Sequence, residues 1–423
     1  METMREALRS GDWLTRERIR LVAIVLLIAS AAGFLFLVVT AHGGIDLQGR
    51  PLGTDFSNVY AAGRYVWDGN TNAAFDPPQQ FAREQAIFGA ATQFYGWHYP
   101  PYFLFVAAAL AWMPYGLALA VWQAVTLGLY LLVMWRIVST TISSREREST
   151  ATPDWLLLAL AFPAVLINVG HGQNGFLTAA LMGGALVLLD RRPIAAGILF
   201  GLLVYKPQYG LLLPIALVAA GRWKCFAAAA VTVIALTVLT TLTFGASVWQ
   251  AFLDSTQFTR TVVLEQGNTG WYKIQSIFAW ARMWSAPIPF AYALQGAAIV
   301  ALAAAIAKLW RSAAPYALQA AALCIATILA TPYSFDYDMM LLAPAIAFVA
   351  VDGLHRGFAP WEKTLLATLW ITPLLARSIA HLTFIPIGVP AMTAVFLLIL
   401  RRSGIFRGAN QARDLKSLVF KEP

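Results

Sequence analysis

Asp55 sits in the stretch Gly53-Thr54-Asp55-Phe56-Ser57-Asn58-Val59-Tyr60-Ala61-Ala62-Gly63-Arg64-Tyr65, just beyond the first long apolar run of a very hydrophobic chain. A carboxylate held beside a reacting hydroxyl in a partly dry site can act as a general base. The plainer reading is that Asp55 or Ser57 caps the helix that follows, its side-chain oxygen satisfying an orphan backbone donor. Tyr60 and Arg64 follow at helical spacing, which puts a phenol and a cation near the same helix start.

Five other segments carry chemistry. Lys206, in Val204-Tyr205-Lys206-Pro207-Gln208, lies between two short apolar runs. A cation at such a depth is costly unless an anion or a wet cavity meets it. It either snorkels to the interface or contacts a phosphate oxygen as a point charge, with Gln208 beside it. Asn168-Val169-Gly170-His171-Gly172-Gln173-Asn174-Gly175 is a tight polar turn. Its glycines suit turn geometry alone, while His171, Gln173 and Asn174 could also bind sugar hydroxyls. Thr331-Pro332-Tyr333-Ser334-Phe335-Asp336-Tyr337-Asp338 brings two carboxylates to one helix start. Capping explains one of them and leaves Tyr333 and Asp336 as binding candidates. The segment 245–287 holds Arg260 and Lys273 as further phosphate candidates, beside a Trp271-Tyr272 pair that also suits an interfacial anchor. Arg64 joins the phosphate group of candidates, and His98 and Tyr99, in Gly96-Trp97-His98-Tyr99-Pro100-Pro101, join Tyr60 as sugar or acceptor contacts.

The elements that must position these residues are membrane helices. Of the 423 residues, 59% are hydrophobic and 12% charged, a balance that soluble domains do not have. Apolar runs recur at nearly the roughly 20 residues that cross a hydrocarbon core, and they are continuous rather than alternating, which argues against a β-barrel. Cys225 and Cys324 have neither paired spacing nor neighbouring histidines, so neither zinc nor a disulfide framework is indicated. The net charge of +9 is scattered through short gaps, which suits anionic membrane lipids and not nucleic acid.

Arg5, Arg9, Arg16, Arg18 and Arg20 precede the run 21–40, so the N-terminus (1–20) is expected in the cytoplasm. A cleaved signal peptide is the rival reading, disfavoured by the length of the run and a poor cleavage site. Further spans are expected at 115–138, 154–168, 173–189, 194–206, 208–220, 224–244, 289–307, 315–331, 337–351, 361–377 and 383–400. Residues 99–113 are either a half-inserted helix, giving 12 spans, or a thirteenth span. Arg145 and Arg147, Arg191 and Arg192, Arg222 and Lys224, Lys308 and Arg311, Arg356 and Lys363, and Arg401 and Arg402 mark cytoplasmic gaps, with a cytoplasmic tail at 404–423. The remaining gaps, 41–98, 168–174, 205–209, 245–287 and 331–338, then share the outer side. Within the first, 57–68 and 79–90 read as amphipathic surface helices, the second opened by Asp76-Pro77-Pro78. The whole chain, 1–423, reads as one all-α polytopic membrane domain.

Thr54-Asp55-Phe56, Tyr60-Ala61-Ala62-Gly63, Tyr99-Pro100-Pro101, Met113-Pro114-Tyr115 and Trp122 together resemble glycosyltransferase family 87. Gly172-Gln173-Asn174, Gly197 with Lys206-Pro207, and Thr331-Pro332-Tyr333-Ser334 extend the resemblance over residues 53–344. It implies a membrane glycosyltransferase of the GT-C superfamily that takes a sugar, mannose or another hexose or pentose, from a polyprenyl-phosphate carrier. The first-loop aspartate of that family, its catalytic base, maps onto Asp55. The late motif departs from the Ser-Trp-Asp-His-His of the family's mannosyltransferases, since this chain has Ser334-Phe335-Asp336-Tyr337-Asp338, which leaves the acceptor open.

The resulting expectation is an inverting transferase of the bacterial inner membrane, working at its periplasmic face on a glycolipid or glycan acceptor. It requires no cofactor. Asp55 and Asp336 could hold Mg²⁺ or Mn²⁺, but no multi-ligand spacing calls for a metal. A transporter or lipid-linked sugar flippase is the alternative, although no internal repeat of the kind common in transporters is visible.

Overall fold

The computed structural model describes residues 2–139 and 152–405, and every regular element within them is helical. Arg145 and Arg147 lie outside the described residues, as does the tail beyond residue 405. The chain opens with α1 (Glu2–Ser10) and α2 (Arg16–Thr40), followed by α3 (Phe56–Trp67) and α4 (Pro77–Phe88). Next come α5 (Leu104–Ala111), α6 (Tyr115–Ser139), α7 (Thr152–Leu160), α8 (Pro163–His171), α9 (Gly175–Leu188), α10 (Pro193–Leu202) and α11 (Leu213–Ala219). The rest are α12 (Trp223–Phe244), α13 (Ser247–Phe258), α14 (Ile277–Met283), α15 (Ile288–Arg311), α16 (Tyr316–Leu329), α17 (Leu342–Arg356), α18 (Glu362–Thr383) and α19 (Gly388–Arg402).

Among the described residues, six helices are long and apolar enough to cross a membrane: α2, α6, α12, α15, α17 with the turn before it, and α18. The other expected spans are shorter or broken. α7 and α8 meet at a 46° bend beside Pro163. The run 194–220 breaks at Lys206-Pro207, because proline removes a backbone donor and restricts the residue before it. Such irregular backbone is tolerated at membrane depth only where protein buries it or a wet cavity meets it. The stretch Pro101–Ala111 is about 16 Å long at ~1.5 Å per residue, roughly half a hydrocarbon core. It therefore matches the half-inserted alternative.

Burial runs from the centre outwards to lipid-facing helices. α9, α16 and α17 are buried along most of their lengths, whereas α2 buries only Ala23. Apolar residues such as Leu21, Ile28 and Val39 on α2, or Val231 and Leu242 on α12, are exposed, as lipid-facing side chains are. At the ends carrying the basic gaps, Arg402 links Asp352 (2.6 Å) with Glu362, Arg222 meets Asp190 (2.5 Å), and Asp154 joins Arg16 and Arg20 (2.7 and 2.9 Å).

The helix pair of segment 41–98 differs in part from expectation. α4 starts as the sequence implies, with Asp76 accepting from the Gln79 backbone N–H at 3.0 Å and prolines in its first turn. α3 is not a surface helix, because Phe56, Val59, Ala61, Ala62, Gly63 and Tyr65 are buried against the protein. Gly63 lets its backbone approach α5 so closely that an added Cβ would sit 2.1 Å from the Ala107 carbonyl oxygen. In an ordinary helix Gly→Ala stabilises by ~1 kcal/mol. Here Gly63→Ala should instead destabilise by about 1–3 kcal/mol, read as a lower unfolding temperature in detergent. A stabilised variant would mean that α3 and α5 do not pack this way.

Candidate functional site

All five gaps expected to share a side contribute to the wall of one cavity of about 840 Å³. Thr54 and Asp55 come from the first, His171 and Gln173 from the second, Lys206 and Gln208 from the third, Arg260 and Lys273 from the fourth, and Tyr333 and Asp338 from the fifth. His98, also from the first segment, and Tyr99 just after it line the same cavity.

Asp55 is placed by backbone contacts. Gly172 ends α8 in the left-handed conformation, and a Cβ there would lie 2.5 Å from Phe56. That close approach lets the Asp55 N–H donate to the His171 carbonyl at 3.0 Å. Although Asp55 occupies the cap position of α3, its side chain makes no capping hydrogen bond, and the Ser57 hydroxyl donates to the Thr54 carbonyl at 2.6 Å. The capping reading therefore fails for both residues. Instead, Asp55 Oδ2 accepts from Gln173 Nε2 at 2.7 Å, while Oδ1 lies 3.5 Å from the Thr54 hydroxyl and 3.9 Å from His171 Nδ1. Gln173 Oε1 accepts from the Tyr99 hydroxyl (3.2 Å) and the Asn174 N–H (3.2 Å), so its amide presents the NH₂ end to the carboxylate. One carboxylate oxygen is thus held and the other faces the cavity with the Thr54–His171 pair, whose hydroxyl and ring nitrogen are 2.7 Å apart.

Four of the five cavity cations are matched by a carboxylate. Lys206 Nζ lies 2.6 Å from Asp338, both deeply buried, and its ammonium also sits 5.5 Å from the Tyr209 ring and 5.7 Å from the Tyr337 ring. Arg50 meets Asp46 at 2.9 Å, Arg260 meets Glu265 at 3.4 Å, and Arg377 meets Asp336 at 2.8 Å. Lys273 differs. Among the described residues no carboxylate lies within ion-pair distance of it, and its ammonium sits 5.7 Å from the Tyr272 ring. Burial lowers its pKa below that of an ordinary lysine, and Arg377 adds repulsion, against the attraction of Asp55 and Asp336.

Several candidates sit elsewhere. Tyr60 donates its hydroxyl to the Met113 carbonyl (3.0 Å) and packs edge-on to Tyr115, behind the wall. Arg64 is on the exposed face of α3, and Asn174 is buried behind Gln173. Asp336 is held by Arg377 and reaches the cavity only through it, so it does not join Asp55 in a metal-ligand set. Among the described residues no three His, Cys, Asp or Glu side chains group to hold a metal. Arg377 and Arg50 are cationic wall residues that the sequence reading passed over, and Arg377 was the more legible of the two. Its signal was an arginine at the very end of an expected span, where an ionisable residue marks function by default.

The aromatic segment 93–100 forms one side of the cavity and is anchored from behind. The Tyr95 and Gly96 N–H groups donate to the fully buried Glu84 at 3.0 and 3.1 Å, and Gln80 Nε2 donates at 3.3 Å. His98, bonded to the Thr259 hydroxyl at 2.8 Å, is pushed down to about 4 by burial and stands neutral at physiological pH. It can orient a hydroxyl but adds no charge.

Residues 97–332 match the model of glycosyltransferase family 87. No curated protein and no solved structure matches the chain.

The buried anchor gives the site a pH dependence. Burial pushes the Glu84 carboxyl up to about 7 from 4.5, against its three donors. The unfolded chain therefore ionises first, so the stabilising contribution is full at low pH and is lost as pH rises from about 4.5 through about 7, by roughly 3 kcal/mol. Unfolding temperatures of the solubilised protein at about pH 5 and pH 8 should fall more in the native chain than in Glu84→Gln. Parallel pH profiles would remove Glu84 as the source.

Proposed function

The chain belongs to glycosyltransferase family 87 and is a multi-pass membrane glycosyltransferase, and from that premise we propose that it transfers a sugar from a polyprenyl-phosphate carrier with inversion, using Asp55 as general base. The observation that carries this reading is the side chain of Asp55. It gives up the capping role its position offers and is turned by Gln173 toward a cavity shared with cations.

In this mechanism the acceptor hydroxyl attacks the anomeric carbon from the face opposite the phosphate. The bond from that carbon to the phosphate oxygen breaks, its electrons leave with the phosphate, and the hydroxyl proton passes to Asp55. Lys273, which among the described residues has no paired carboxylate, would meet the charge growing on the leaving phosphate, and fixed positive groups aimed at developing charge are a large source of rate. Lys206 is already matched by Asp338, so its part is to hold the wall rather than to lead phosphate binding. Tyr99, Tyr333, His171, Gln173, His98 and Gln208 offer rings and hydrogen-bonding groups for the donor sugar and for a glycolipid or glycan acceptor. Mannose or another hexose or pentose fits this chemistry, as does an active site on the periplasmic face of a bacterial inner membrane. Asp55 precedes the residues matched to the family, so its role rests on the geometry.

Asp55→Asn should lower turnover by about 10²–10⁴-fold with an unchanged unfolding temperature, measured as sugar release from a polyprenyl-phosphate donor. Lys273→Gln should raise the donor KM several-fold. Near-native turnover in Asp55→Asn would exclude it as the base.

A further inference from the structure

Two polar side chains in the wall beside Asp55 are left without hydrogen bonds by the protein. Asp55 takes helical backbone angles at the start of α3, and Asn58 follows three residues on, so the two share one face of that helix. Asn58 lines the large cavity but is only 4% exposed, and among the described residues no group pairs with its Oδ1. Tyr95 lines the same cavity, and its hydroxyl is buried with no partner either. Burial, with a smaller push from Asp55, raises that hydroxyl to about 12, so it is a neutral donor within electrostatic reach of the carboxylate. Buried polar groups left unpaired forfeit their hydration without return and are rare in folded chains.

Both residues are held in register from behind. Gln80, buried on α4, donates to the Asn58 carbonyl at 3.0 Å and to Glu84 at 3.3 Å, and Glu84 accepts from the Tyr95 N–H at 3.0 Å. One buried bracket thus fixes both backbones and leaves both side-chain polar groups free. A rigid frame behind open hydrogen-bonding groups is how a preorganised binding site is built. Neither group carries charge, and Arg50, whose field also reaches Tyr95, is matched by Asp46 at 2.9 Å. The ligand that suits them is neutral and rich in hydroxyls. An amide can accept from and donate to such groups, and a phenol can do either. We propose that Asn58 and Tyr95 bind further hydroxyls of the acceptor beside the one that Asp55 deprotonates, so that the acceptor presents a sugar ring and not a lone alcohol. This rests on the reading of Asp55 as the base and goes beyond it, since the acceptor's class follows from groups that take no part in the displacement.

Saturation-transfer NMR on the solubilised full chain tests it, with methyl α-glycosides of mannose, glucose and galactose as probes and cyclohexanol, a ring of the same size with one hydroxyl, as the comparison. The unaltered protein should bind at least one glycoside about tenfold more tightly than cyclohexanol. Asn58→Leu, close in shape to the original, and Tyr95→Phe, which removes one oxygen, should each weaken glycoside binding by about 3–10-fold, the worth of one hydrogen bond, and leave cyclohexanol unaffected. Where Asn58→Leu does not fold, Tyr95→Phe carries the test. The probes need no donor, so failure here is distinct from failure of the transfer assay on Asp55→Asn. Glycoside binding no tighter than that of cyclohexanol, or unchanged in either folded variant, would overturn the proposal.

Discussion

The buried ion pair between Lys206 and Asp338 holds the site together. It lies where Pro207 breaks an apolar run, and it ties that break to the 331–338 turn. Asp338 uses its other oxygen to accept from the Phe335 N–H at 2.9 Å. Phe335 in turn pairs with Ile274, and the Gln275 N–H donates to the Ser334 carbonyl at 2.7 Å, docking the long 245–287 segment on the same turn. Three of the five segments are thereby fixed through one carboxylate. Removing either partner of such a pair leaves an uncompensated charge and costs about 3–5 kcal/mol.

The same logic governs the cavity's electrostatics. Carboxylates behind the wall match Arg50, Arg260 and Arg377, so these side chains are held in place and much of their charge is offset. Among the described residues, Asp55 and Lys273 are the two charged wall groups with no ion pair to an acid, a lysine or an arginine. A carboxylate and a cation left over in one cavity are what the proposed inverting displacement of a phosphate would use.

Much of this was legible in the sequence because it depends on sidedness and local chemistry. Alternating basic gaps put the polar segments on one side, and those segments do meet. The break at Lys206-Pro207 and the cap at Asp76 are local effects of proline and aspartate. Pairings were not legible. That Asp338, rather than Asp336, would meet Lys206, and that Arg377 would take Asp336, depends on how helices far apart in sequence rotate against one another. The burial of α3 escaped for a related reason: the fit of Gly63 to Ala107 gives no periodic signal. Six long spans among many shorter helices likewise reflect proline breaks that hydropathy averages away.

α2 leads directly into the segment that carries Asp55, yet it buries only Ala23 and meets the bundle chiefly at its start, where Arg16 and Arg20 pair with Asp154. Asp55 is instead registered from the opposite direction, by the His171 carbonyl and the Gln173 amide. The Asp55 carboxylate is therefore positioned by the turn between α8 and α9 rather than by the helix that precedes it. A tilt of the outer helix need not then move that carboxylate, whose partners lie on inner helices.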